Sequence, residues 1–279
     1  MNWKCWVTCQ EGRMRMPDES AEYEIEKQDG TARRSKIDQV AREEPLQITV
    51  DGTPVAVVMR TPGHDKDLVR GFLLTEGIIE GLSWVSRIDL EQKQNHAYVF
   101  LTDDAVLDHT RLSRNLYSAS SCGICGKASI ESIRQNYPPV EHGFSMQKNT
   151  LLGLPNALRD AQRVFSSTGG LHAAALVDGA GEILILREDV GRHNAIDKVI
   201  GRGSLDGVDY SNTLLQLSGR VSFEVMQKAL AVGIPMVAAI SAPTSLAVDF
   251  ARESGQTLIG FLRPPAFNVY AGGGRLMGD

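Results

Sequence analysis

The sequence predicts an α/β protein (α+β overall) in which a smaller β-rich unit precedes an α/β layer. Three observations carry this. From residue 171 onward, strand-like apolar runs alternate with helical patterns of about 10–12 residues, the signature of an α/β layer. Before residue 110, strand signals come in hairpin pairs with one helical pattern between them. Between the two regions lies Ser118-Ala119-Ser120-Ser121-Cys122-Gly123-Ile124-Cys125-Gly126-Lys127, two thiols three residues apart among serines and glycines.

The chain of 279 residues is long enough for a sizeable core and one or two domains. With 42% apolar and 23% charged residues it reads as an ordinary globular protein. The 29 Lys and Arg against 34 Asp and Glu leave a net charge of −5, which argues against a dedicated nucleic-acid binder. No run approaches the ~18 apolar residues of a membrane span, and no charged n-region with an apolar h-region marks a secretory signal. Four cysteines are too few for a disulfide scaffold and point to a reducing cytosol, hence a cytoplasmic protein without membrane contact.

In chain order, residues 1–35 are polar and unperiodic, with Pro17-Asp18-Glu19-Ser20 and Gln28-Asp29-Gly30-Thr31 as breakers, and read as a flexible extension containing Cys5 and Cys9. A β-rich domain spans 36–115, with order expected from about Pro45. Residues 46–50 and 55–59 flank Asp51-Gly52, a strong hairpin signal. Leu68, Phe72, Leu73 and Ile79 follow at helical spacing, with Asp65 and Asp67 in the first turn, where the helix dipole favours them. Residues 85–90 and 97–101 suggest a second hairpin. Residues 116–145 read as a mobile loop carrying the C-x-x-C, with a short helix over 128–136 that stops before Pro138-Pro139.

The α/β domain spans 146–279. Its expected elements are a helix over 151–165, strands over 171–177 and 183–186, and a helix over 191–201. A strand over 213–217, a helix over 220–232, a strand over 236–240, a helix over 244–254 and a strand over 257–262 complete it. On the helix from Gly191, residues Ala195, Ile196, Val199 and Ile200 face the core, leaving Arg192, His193, Asp197 and Lys198 on the surface. Asp197 and Lys198 read as solvated. Arg192 and His193 stand in the first turn, where the dipole disfavours a cation, and a nearby anion would explain them.

Four strand–helix turns invite a ligand: residues 166–170, 189–194, Ser218-Gly219-Arg220, and 241–245. Open α/β sheets bind ligands outside the carboxyl ends of their strands, and helix N-termini there offer free N–H groups to anions. Arg192, His193 and Arg220 would add charge to that rim, provided the sheet is parallel. The same Ser, Thr and Asp residues also serve as plain N-caps. Neither a Walker pattern nor G-x-G-x-x-G is present.

Cys122 and Cys125 admit three readings. A thioredoxin-like dithiol needs a strand before it and a helix start after it, and no clear strand precedes this one. A zinc site needs two further ligands, and Cys5, Cys9, His64, His96, His109 and His142 are scattered, so no metal ligand is assigned. Zinc deaminase chemistry needs H-x-E and then P-C-x-x-C. This chain has His172-Ala173-Ala174, and its C-x-x-C comes first and lacks the proline. The third reading is a nucleophilic thiolate that carries sulfur as a persulfide.

Six segments, in order, carry a resemblance: Ser121-Cys122-Gly123-Ile124-Cys125-Gly126, Thr168-Gly169-Gly170-Leu171-His172, residues 188–198 (EDVGRHNAIDK), residues 218–224 (SGRVSFE), Ser241-Ala242-Pro243-Thr244-Ser245 and Phe267-Asn268-Val269-Tyr270. Over about residues 40–272 the chain resembles the formate dehydrogenase accessory sulfurtransferase family, FdhD. The resemblance implies a cytosolic sulfurtransferase with a cytidine-deaminase-like larger domain, without its zinc, acting as a homodimer. It implies a sulfur carrier that takes persulfide sulfur from a cysteine desulfurase. The sulfur would go to a molybdenum or tungsten bis-(molybdopterin guanine dinucleotide) cofactor, bound as cargo, before insertion into the formate dehydrogenase catalytic subunit. Cys122 matches the persulfide-forming cysteine, Cys125 its partner, and Phe261, Leu262, Arg263, Pro264, Pro265 and Ala266 the cofactor-binding stretch. Family members often carry glycine and a second basic residue where this chain has Pro264-Pro265-Ala266, which removes two backbone donors and shifts weight to Arg263 and the Ser218–Arg220 turn. The alternative is a cofactor-binding chaperone whose C-x-x-C is structural or redox-sensing.

Overall fold

The computed structural model describes residues 19–105, 137–140 and 143–278. Cys5, Cys9, Cys122, Cys125 and the helix expected over 128–136 lie outside the described residues.

A hairpin opens the described chain. β1 (Ser20–Asp29) and β2 (Ala32–Ala41) pair antiparallel along their whole lengths and turn at Gly30, with φ 59°. This corrects the expectation of a loose chain up to residue 35 and of order beginning near Pro45. The cause is a period of two, Ala21, Tyr23 and Ile25 against Glu22, Glu24 and Glu26, masked by the polarity of the segment. Tyr23 (56%) and Ile37 (61%) stay exposed, so the ribbon is held by its own ladder and by contact with a later helix, without a core of its own.

β3 (Glu44–Val50) and β4 (Thr53–Arg60) form the expected hairpin, with Asp51 and Gly52 both at positive φ (43° and 80°), as a two-residue primed turn requires. α1 (Asp65–Thr75) follows, then β5 (Val85–Asp89) and β6 (His96–Leu101), the second expected hairpin. The sheet runs β4-β3-β6-β5. Leu46, Ile48, Val50 and Val99 pack from it against Leu68, Phe72 and Leu73 of α1.

Beyond residue 143, β7 (Met146–Gln147) leads into α2 (Lys148–Ala161) and α3 (Arg163–Thr168), which β2 contacts. The single helix expected over 151–165 is broken at Gln162 (φ −78°, ψ 86°). The Glu188 carboxylate causes the break, accepting from the N–H groups of Val164 (2.9 Å) and Phe165 (2.7 Å) and so starting a second helix. β8 (His172–Val177), β9 (Ile183–Asp189), α4 (Arg192–Asp206), β10 (Leu214–Leu217) and α5 (Phe223–Ala231) come next. β11 (Met236–Ala239), α6 (Ser245–Glu253), β12 (Thr257–Arg263), β13 (Ala266–Ala271) and β14 (Leu276–Met277), which pairs with β7, complete the chain.

The six-stranded sheet has the order β13-β12-β11-β10-β8-β9. β10, β11 and β12 are parallel, and β8 and β13 run against them. Alternate residues face opposite layers. Ala173, Ala175, Leu214 and Ala238 pack under Leu151, Leu154 and Leu158 of α2. Ala174, Leu176, Leu215 and Val237 pack under α4, α5 and α6.

α4 is covered on its second face by α1. At their crossing a Cβ on Gly71 would land on the carbonyl oxygen of Asp197, and one on Gly201 on that of Asp67, so only glycine permits the approach. The cover corrects the reading of Asp197 and Lys198 as solvated: they are 2% and 0% exposed. Lys198 Nζ sits 2.7 Å from Asp189 Oδ2 and donates to the Thr61 carbonyl at 2.9 Å. Lys228 Nζ lies 2.9 Å from both oxygens of Asp197 and 3.0 Å from Glu76, and donates to Thr75 Oγ1 at 2.8 Å. Burial pushes the Asp197 carboxyl up to about 6 although Lys228 pulls it down. Burial works against the Lys228 ammonium, but Asp197 and Glu76 outweigh it and hold its pKa above the usual lysine value.

Candidate functional site

Five connections meet at one edge of the six-stranded sheet: residues 168–171 into β8, 190–191 out of β9, 218–222 out of β10, 240–244 out of β11, and Pro264-Pro265 between β12 and β13. Convergence was expected on condition of a parallel sheet. The sheet is mixed, yet the convergence stands, because the strands that run backwards, β8 and β13, begin at this edge instead of ending there. The register Leu217↔Ala174, His172↔Asp189 and Arg263↔Ala266 places the ends together.

At the centre, Ser218 ties β10 to β8: its N–H donates to the Ala173 carbonyl (3.1 Å) and its Oγ accepts from the Ala173 N–H (2.9 Å). Its hydroxyl therefore serves the sheet end. Gly219 permits a close approach, since a Cβ there would lie 3.1 Å from His172 Nδ1 and 3.8 Å from the Arg192 Cβ. His172, Arg192 and the Gly219 backbone are thus gathered, with the exposed Arg220 next in the chain. Burial, followed by the Arg192 charge, pushes the His172 ring below its ordinary 6.5, against the pull of Asp189. Arg192 Nε is shut off from solvent without a hydrogen-bond partner. An orphan guanidinium donor beside a glycine cradle fits an anion.

The run from Asp189 to Lys198 turns out to be a joint. Asp189 Oδ1 accepts from Gly191 N–H (2.8 Å) and Asn194 Nδ2 (3.0 Å), and Oδ2 from Thr61 N–H (3.1 Å), beside Lys198. Asn194 Nδ2 also donates to the Met59 carbonyl (2.7 Å). The β4–α1 connection is in this way fastened to the start of α4, which carries Arg192 and His193 to the edge.

On the stretch from Phe261 to Ala266, expected to bind cofactor, Phe261 is 41% exposed at φ 50°, with its N–H on the Ser241 carbonyl (3.1 Å). Leu262 points into the core layer under α2, so only its backbone reaches the rim. Arg263 is exposed and its Nε donates to the Ile240 carbonyl (3.1 Å); Pro264 and Pro265 form an exposed turn with a cis bond between them, and the exposed Ala266 opens β13. His193 is buried beside Ser222 and Glu224 of the α5 start. His172, Ser222 and Glu224 escaped the sequence reading as site residues. All three were in view within the quoted segments, but nothing local said what they face. Among the described residues no three His, Cys, Asp or Glu side chains gather as metal ligands. No described helix is long and apolar enough to cross a membrane.

Fold and edge together define a three-layer α/β protein with an anion-receptive rim, joined to a small β unit. The model of the FdhD/NarQ family matches residues 41–277. The chain belongs to that family. It is 46% identical over 258 residues to the sulfur carrier protein FdhD of Streptomyces avermitilis, covering 87% of this chain and 90% of that one. Identity to the protein of the same name from Mycolicibacterium paratuberculosis is 47% over 245 residues (84% and 90% covered). For that of Sulfurisphaera tokodaii it is 44% over 237 residues (84% and 89%). A crystal structure from Desulfotalea psychrophila, described as a formate dehydrogenase accessory protein, shares the fold with a TM-score of 0.78 at 22% identity, covering 93% of this chain and 100% of that one.

Proposed function

We propose that the chain is a sulfur carrier in formate dehydrogenase maturation, working in the cytosol as a homodimer. Cys122, as thiolate, attacks the persulfide of a cysteine desulfurase; the donor's sulfur–sulfur bond breaks, its cysteine leaves as thiolate, and Cys122 holds the sulfane sulfur. Cys125 is the partner thiol. The sulfur passes to a molybdenum or tungsten bis-(molybdopterin guanine dinucleotide) cofactor, bound as substrate at the sheet edge and destined for the formate dehydrogenase catalytic subunit. Relatives named sulfur carrier protein FdhD, 44–47% identical over most of both chains, support the sulfur half. The ligand half is carried by one observation, the meeting of His172, Arg192 and Gly219 at an edge where Arg192 Nε has no partner. Arg192, Arg220 and Arg263 there would hold phosphate groups, with His193 beside them, and the Phe261–Ala266 turn would border the guanine nucleotide.

Mass spectrometry after incubation with a desulfurase and cysteine tests this. The expected product carries about 32 Da on Cys122, the mass of one added sulfur, and Cys122→Ala carries none and leaves formate dehydrogenase inactive in cells. An unmodified Cys122, or active dehydrogenase with Cys122→Ala, would instead leave a cofactor chaperone whose thiols carry nothing.

A further inference from the structure

The turn out of β10 leaves two backbone donors unused. Ser218 N–H is taken by the Ala173 carbonyl (3.1 Å) and Val221 N–H by that of Ala242 (3.2 Å). The two between them, on Gly219 and Arg220, donate to no described residue. Successive free N–H groups make a concave seat for an anion. His172 stands against that seat. Its neighbour Ala173 faces α2 and Ala174 faces α4, so His172 lies on the α4 side of the sheet. There its Nδ1 and Cε1 come 3.1 and 3.4 Å from the place a Cβ on Gly219 would take, with the Arg192 Cβ at 3.8 Å. The ring is half-buried and has no hydrogen-bond partner among the described residues.

Among the described residues three charged groups act on the ring. Arg192, at the start of α4, and Arg220, on the turn itself, oppose a proton there, while Asp189, opposite His172 in register on β9, favours one. That carboxylate is already engaged by Lys198 at 2.7 Å, with both side chains fully buried. Burial adds to the two arginines, so the ring stands below its ordinary 6.5 and is mostly neutral at pH 7. A phosphate in the seat reverses the balance, because its charge offsets the arginines and attracts an imidazolium. We propose that His172 is the proton-accepting residue of the rim: as a phosphate-bearing anion settles on the Gly219 and Arg220 N–H groups, the imidazole takes one proton from solvent and donates a hydrogen bond to a phosphate oxygen. The empty rim is thereby spared a third cation beside Arg192 and Arg220. The kind of anion rests on the cofactor reading, whereas the proton uptake holds for any phosphate.

Histidine NMR titrations of the full chain, free and saturated with GDP or with pyrophosphate, test this. His172 titrates below 6.5 in the free protein. With either ligand its midpoint is expected to rise by about 1–3 pH units, the usual effect of an opposite charge at contact distance. Above pH 7 a phosphate has already lost its second proton, whose pKa is about 6, so a further fall in affinity belongs to the protein. Between pH 7 and 9 GDP should weaken by about three- to ten-fold in the wild type and by less than about two-fold in His172→Gln, which takes up no proton. A midpoint unmoved by bound ligand, or the same pH dependence in His172→Gln, overturns the proposal and leaves the cofactor reading standing. Pyrophosphate that raises the midpoint, with GDP bound no more tightly, supports the proton uptake and counts against a guanine nucleotide here. No binding of either probe overturns the anion seat itself. The wild-type midpoint decides even where the variant fails to fold.

Discussion

Gly201→Ala, and separately Gly71→Ala, each lower the melting temperature by roughly 6–12 °C in calorimetry, from a loss of about 3 kcal/mol or more. Both methyl groups would meet backbone carbonyl oxygens of the facing helix, and backbone cannot rotate away as a side chain can. The helices must separate, opening the crossing that buries Asp197 and Lys228. Gly153 provides the control. It lies in α2, exposed, and a methyl group there would meet nothing within 4 Å, so Gly153→Ala gains roughly 0.5–1 kcal/mol from helix propensity alone. Equal losses at positions 153 and 201 would remove the steric explanation.

Lys228→Met is expected to cost about 3–5 kcal/mol at pH 7, because Asp197 is left as a buried carboxylate without the ammonium that faces it. The loss depends on pH with a definite sign. The folded Asp197 pKa, about 6, lies above the ordinary 3.8, so the folded protein holds that proton more tightly than the unfolded chain. Its contribution to stability is therefore full below about 4 and declines as pH rises through 6. Without Lys228 the carboxyl rises further, and the variant recovers part of its deficit at pH 5 by protonating Asp197. Denaturant titrations at both pH values measure this. A deficit that is the same at pH 5 and pH 7 would show that the ammonium is not what keeps Asp197 ionised.

Local chemistry was legible in the sequence. Asp51-Gly52 announced its hairpin because two residues determine a primed turn, and the strand–helix alternation after residue 171 announced the layer. Periodicity also told which side of α4 is charged. It could not tell that α1 would cover that side, because the partner lies more than 120 residues away, and so Asp197 and Lys198 were misread. The break at Gln162 depends on Glu188, and the Ser222 contact on His193, 29 residues earlier. The β1–β2 ribbon is a different failure: its alternation was present, but the glutamates at 22, 24 and 26 and the charged residues of β2 made the segment look unstructured. The convergence of turns at one sheet edge was expected for a reason only partly right, since strand direction is not written in any single strand.

The carboxylate of Asp189 has a consequence for how the molecule breathes. Its oxygens hold the amide hydrogens of Thr61, from the β unit, and Gly191, at the rim, together with the fully buried Lys198. Solvent reaches neither amide unless that carboxylate lets go. Thr61 and Gly191 should thus exchange their hydrogens for deuterium in the same opening event, at matched rates, although they follow strands of different sheets. A nucleotide that settles the start of α4 would slow both. Exchange at Thr61 unaffected by a ligand that protects Gly191 would mean that the rim opens without the rest of the protein.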